Sequence, residues 1–157
     1  MKTPYNTLLI ICAAVSFSPL MQASESYRAV KDAIVIEECG ACHMTFQPEM
    51  LPQRSWNAIM IDLENHFGED ASLSTQKNQY ITAYLVANAA DQQWSGSKLL
   101  RGLSKSTTPL RISELPYWIK EHREEVSNRE WNNPKVGSKA NCLACHQQAD
   151  RGYYDDD

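Results

Sequence analysis

The pattern Cys-x-x-Cys-His occurs twice, as Cys39-Gly40-Ala41-Cys42-His43 and as Cys142-Leu143-Ala144-Cys145-His146. This spacing is the attachment signal for c-type haem. Two cysteine sulfurs one turn apart can each form a thioether to the vinyl groups of a porphyrin, and the following histidine then lies beneath the ring centre and offers an imidazole nitrogen to iron. Other uses of paired cysteines fit less well. Zinc ribbons place their two pairs about 15–20 residues apart, whereas 99 residues separate Cys42 from Cys142. A thioredoxin-like redox motif needs a βαβ surround, and neither motif lies in an alternating, strand-rich pattern. Structural disulfides give no reason for a histidine after each second cysteine. Two covalently bound haem c groups, each with its iron, are therefore expected.

The start of the chain reads as an export signal over residues 1–23. Lys2 is followed by an apolar run from Leu8 to Phe17, which contains Cys12. Pro19 then breaks the run, and Met21-Gln22-Ala23 offers a cleavage site. The run is too short for an ordinary membrane-spanning helix, although a retained anchor is the rival reading. Export matches the motifs, because c-type haem is attached outside the cytoplasm, and the expected location is the periplasm. The chain has 157 residues and a formal net charge of −4, with no basic patch of the kind nucleic acid requires. Haem propionates would add negative charge, so a basic docking partner fits better.

Scarce β-branched runs and helix-favouring composition predict an all-α chain. Two small haem-binding modules are expected, residues 24–92 and 111–157, joined by a bridging segment at 93–110. A helix over Ser24–Glu38 is expected to run into the first motif and carry Cys39 and Cys42 in its last turn. Met44–Pro52 reads as a loop. Ser55 reads as the N-cap of a helix over Trp56–Phe67 that ends at Gly68. Trp56, Ile59, Met60, Leu63, His66 and Phe67 then share one face. Ser74 caps the next helix, to about Ala90, with Tyr80, Ile81, Tyr84, Leu85 and Asn88 inside. A short turn is expected at Leu99–Leu103, with Lys98, Arg101 and Lys105 near it. Ser113 starts a helix that places His122 on a seam with Leu115, Trp118, Ile119 and Val126. Ser138 caps a last helix carrying Cys142, Cys145 and His146, and the tail from Gly152 onward reads as frayed and exposed.

The chain has four histidines. His43 and His146 belong to the motifs, which leaves His66 and His122 for the two remaining axial positions. The count matches bis-histidine ligation, with Met44, Met50 and Met60 as rival ligands and Met60 the strongest of them. Sequence proximity pairs His43 with His66 and His122 with His146; a crossed arrangement would instead put His122 over the first haem. Iron held by two imidazoles has no open site for a substrate, so outer-sphere electron transfer follows and enzymatic activity does not. The alternative is a small haem enzyme, a peroxidase or reductase, with one open site. Trp56, Trp118 and Trp131 are expected to pack against porphyrin.

The chain resembles the bacterial dihaem cytochrome c family, often called DHC. The resemblance rests on Glu38–Pro48, Arg54-Ser55-Trp56, His66–Ala71, Tyr84–Ala90, Arg111-Ile112, Trp118–Glu124 and Asn141–His146. It implies a small monomeric periplasmic electron carrier whose N-terminal module is related to ordinary cytochrome c. Cys39, Cys42, Cys142 and Cys145 would bind haem, and His43, His66, His122 and His146 would ligate iron. The implied partners are a b561-type membrane cytochrome as donor, reached by peripheral membrane contact, and a small oxygen-binding monohaem cytochrome c as acceptor. The tail departs from the family by stopping in Asp155-Asp156-Asp157.

Overall fold

The computed structural model describes residues 26–92 and 96–154. The leader with Cys12, the segment 93–95 and the acidic triplet at 155–157 lie outside the described residues. Within them the secondary structure is helical, without strands, and the two isolated bridges join Ser26 to Tyr153 and His66 to Glu69. The α-helices are α1 (Ala33–Cys39), α2 (Gln53–Ile61), α3 (Thr75–Ala87), α4 (Pro116–Glu125) and α5 (Asn128–Trp131), interspersed with short 3-10 turns. No helix among the described residues is long and apolar enough to cross a membrane.

Helix α1 is shorter than the expected Ser24–Glu38. Asp32 sets its start by accepting hydrogen bonds from the Ile34 and Val35 amides, each at 3.0 Å, so the chain before it is extended. Its last residue is Cys39, and Cys42 lies beyond it in a turn. Helix α2 begins three residues before the expected Trp56, with Pro52 at its N-cap and no side-chain cap from its own segment. A distant group does that work: the Asp91 carboxylate accepts from the Gln53 amide at 2.9 Å. Ser55 is an interior residue, buried, with no hydrogen-bond partner for its hydroxyl.

Helix α2 also stops earlier than periodicity suggests. It ends at Ile61, which points into solvent, and a 3-10 turn over Leu63–Asn65 follows. Phe67 and Gly68 then both have positive φ, 56° and 105°, the combination of a type I′ turn. The Glu69 amide closes that turn on the His66 carbonyl at 3.1 Å. His66 therefore sits at a tight turn and not on a helical seam. The Ser74 cap of α3 stands as expected, accepting from the Lys77 amide. Ile81 and Leu85 face inward, but Tyr80 is exposed and donates its hydroxyl to Asp32 at 2.5 Å.

One hydrophobic cluster draws on every part of the described chain before α5. Val35 of α1, Met50, Leu51, Trp56, Met60 and Leu63 around α2, Ile81 and Leu85 of α3, Leu99, and Leu115 and Trp118 at α4 belong to it. Polar ties reinforce its edges. The Trp56 indole donates to the Pro48 carbonyl at 2.8 Å, and Arg54 donates to the carbonyls of Thr107 and Ser104. Leu99 lies in the expected short turn, seen as Lys98–Leu100.

Helix α4 starts at Pro116, whose missing N–H costs nothing at the first helical position. The Ser113 region forms instead a separate 3-10 turn over Ile112–Glu114. Leu115 and Trp118 are buried, whereas Ile119 is exposed. Helix α5 was not anticipated, although Ser127 and Glu130 form a capping box at its start. Removing that cap with Ser127→Ala is expected to lower stability by about 1 kcal/mol, read as a shift in the urea midpoint at constant slope. No α-helix forms around the second motif, where Cys142–Ala144 is a single 3-10 turn. The described part of the expected frayed tail, Gly152–Tyr154, is docked instead: Gly152 is buried, and its carbonyl accepts from the Tyr27 amide at 2.8 Å.

Candidate metal centres

All four described cysteines, Cys39, Cys42, Cys142 and Cys145, are free thiols. They do not pair within or between motifs, so disulfides do not explain the spacing. Nor do they meet the histidines in a group of three or more metal-binding side chains among the described residues, which excludes a zinc-ribbon arrangement there. Burial pushes the Cys142 thiol up to about 11 and raises that of Cys39, with Glu38 adding to the latter. Burial thus favours the neutral form of both thiols.

The four histidines gather in two pairs. The His43 and His66 rings have centroids 6.2 Å apart, and so do the His122 and His146 rings. Two metal–imidazole bonds of about 2 Å each, plus roughly an ångström from each nitrogen to its ring centre, put the centroids about 6 Å apart. Both pairs thus have the spacing of imidazoles that share one metal ion. The first pair is nearly parallel, with 28° between planes, and the second nearly perpendicular, at 82°. The crossed arrangement has no counterpart among these ring contacts. Met60, the rival ligand, is buried in the hydrophobic cluster, and the Met50 sulfur lies 3.6 Å from the Tyr154 hydroxyl.

Each pair has one ring oriented by the backbone. Nδ1 of His43 lies 2.7 Å from the Met44 carbonyl, and Nδ1 of His122 lies 2.9 Å from the Trp118 carbonyl. With Nδ1–H donating to a carbonyl, Nε2 keeps its lone pair for a metal. Burial, assisted by His43 and Arg111, holds the His66 imidazole below its usual value and so in the neutral, ligating form. His146 has a buried Nδ1 with no protein partner. A prosthetic group seated between the rings fits these residues.

Aromatic and cationic side chains frame both pairs. His43 lies beside Phe46, with centroids 5.0 Å apart, and His66 beside Phe67 at 4.8 Å. The Arg111 guanidinium stacks 4.0 Å from the Phe67 ring centre, which offsets the strain of a bulky residue at positive φ, about 1–3 kcal/mol. Trp118 stacks on His122 at 3.8 Å, and Trp131 stands 6.0 Å from the same imidazole. Lys139 lies over both indoles. Lys98 and Arg101 stand over the Tyr117 ring. Sequence periodicity did not reveal the Arg111–Phe67 contact, because the partners are far apart in the chain and one occupies a turn. It also missed Gln47 and Tyr154, whose bonds join opposite ends of the chain.

Comparison with known proteins agrees with this arrangement. The chain is similar to a dihaem cytochrome c from Rhodobacter sphaeroides, at 51% identity over 81% of this chain and 99% of that one, with a TM-score of 0.75. A crystal structure of DHC purified from R. sphaeroides is 48% identical over 80% of this chain and 98% of that one, with a TM-score of 0.67. The dihaem cytochrome c of Shewanella baltica OS155 is 38% identical, covering 78% and 86%, with a TM-score of 0.64. No curated protein matches. The family profile of dihaem cytochrome c matches residues 35–154, a span that contains both motifs and both histidine pairs. With that match over most of its length, the chain belongs to the dihaem cytochrome c family, and its cofactors are two haem c groups with their irons.

Proposed function

We propose that this protein is a periplasmic electron carrier, and not an enzyme, in which each iron has two histidine ligands. His43 would pair with His66 and His122 with His146; Cys39 and Cys42 would hold one haem and Cys142 and Cys145 the other. The observation that carries the reading is the matched 6.2 Å ring separation in the two pairs. Haem iron, when bound, supplies a one-electron couple. The protein's own part would be to supply two imidazoles to each iron, His43 with His66 and His122 with His146. Backbone carbonyls of Met44 and Trp118 fix His43 and His122, and burial keeps His66 neutral. Two imidazoles also favour a lower potential than an imidazole–thioether set. Export through residues 1–23 supports the periplasmic location. The partners we propose are a b561-type membrane cytochrome as donor and a small soluble monohaem cytochrome as acceptor, in keeping with the net charge of −4 and a basic docking face on a partner.

Axial ligation can be tested directly. Paramagnetic resonance and near-infrared magnetic circular dichroism of the oxidised protein should show two low-spin, bis-imidazole ferric centres. The reduced spectrum should not change under carbon monoxide. A high-spin centre or prompt carbon monoxide binding in the native protein would overturn the proposal and favour a haem enzyme.

A further inference from the structure

A polar junction joins the two motif regions, and haem attachment alone does not require it. Gln47 follows His43 by four positions and is fully buried, with 0% of its surface exposed. Its Nε2 donates to the carbonyl of Ala149 at 2.8 Å, 102 positions later and just past His146. Its Oε1 accepts from the Tyr154 hydroxyl at 2.6 Å. The Tyr154 ring stands edge-on to His146, with centroids 5.5 Å apart, and edge-on to Tyr27 at the same separation. The Tyr27 amide in turn binds the Gly152 carbonyl. One side-chain amide thus spans the loop after the first motif and the turn after the second.

An apolar residue in that space would contribute burial without direction. A buried amide is costly unless its bonds are made, and bonds made at both ends admit one relative orientation of the segments they join. The geometry points to Gln47 and Tyr154 as positioning residues that hold the His146 turn against the His43 loop and thereby set the relative placement of the two haems. This inference rests on the ligation proposed above, since it takes His43 and His146 as iron ligands. The haems, when bound, would supply a one-electron couple, one iron going from ferrous to ferric as the other goes from ferric to ferrous; the part of Gln47 and Tyr154 would be to hold the segments that carry them.

The test uses the full dihaem protein with Tyr154→Phe, which keeps the ring against His146 and removes only the hydroxyl. Gln47→Met, of similar volume, is the second variant, and Ile81→Val in α3 is a control for stability loss alone. Both junction variants should retain two covalent haems and low-spin spectra. Their inter-haem dipolar splitting in paramagnetic resonance should change, and flash-initiated electron exchange between haems should slow severalfold, because outer-sphere exchange falls off exponentially as the gap between the two groups widens. Ile81→Val should leave both readouts unmoved. Junction variants that lower the unfolding midpoint but keep wild-type splitting and exchange rate would overturn the inference. A high-spin centre in the wild type would instead strike the ligation proposal, so the two failures are distinguishable.

Discussion

Protein carrying Cys142→Ser together with Cys145→Ser should be purified with one covalently bound haem per chain instead of two. Serine oxygen does not form the thioether, and the other motif supplies only Cys39 and Cys42. The second histidine pair would then face each other across a gap that nothing bonded to the protein fills. Trp118 and Trp131, which flank His122, would lose whatever surface the porphyrin covers. Mass spectrometry of the denatured chain reads the result, with the haemochrome absorbance per chain as a second measure. Two porphyrins on the variant would show that these cysteines do not carry the attachment. The reciprocal variant, Cys39→Ser with Cys42→Ser, should lose the other haem and keep the one near His146.

The largest effect on stability is expected from Gly152→Ala. Gly152 has φ +89°, and a Cβ there would lie 2.0 Å from the Tyr27 carbonyl oxygen and 2.9 Å from its carbon. Those atoms are backbone and cannot swing aside. The left-handed conformation alone costs an alanine about 1–2 kcal/mol. Relieving the clash means parting the Tyr27 amide from the Gly152 carbonyl, a hydrogen bond of 2.8 Å. A total loss of about 3 kcal/mol or more is expected, equivalent to roughly 10 °C in Tm for a chain of this size. Calorimetry or guanidinium unfolding of the dihaem protein checks it. A variant within about 0.5 kcal/mol of the parent, as for ordinary surface changes, would mean that the tail is not docked as described.

Local chemistry was legible where its cause is local. The Ser74 cap was legible because a serine side chain reaches an amide three residues ahead without help from elsewhere. The Ser127–Glu130 capping box rests on equally local chemistry, although no helix is expected there. The start of α2 was not legible, since Asp91 reaches it from beyond α3. The apolar spacing from Trp56 to Phe67 also misled. It marks which residues seek the core, but a helix followed by a type I′ turn can satisfy the same preference, with Ile61 left outside. His66 reaches His43 by that turn, and no count of helical steps anticipates it.

The sequence by itself determined the haem chemistry and the inventory of histidines. Attachment depends on stereochemistry within five consecutive residues, and no distant contact can alter that spacing. Tertiary structure decided which imidazole faces which, and it seated Gly152–Tyr154 beside His146. Those outcomes depend on where Phe67, Arg111, Gln47 and Tyr154 meet in space. Their contacts join segments far apart along the chain, where packing of the whole core, and not the preference of any one stretch, selects the conformation.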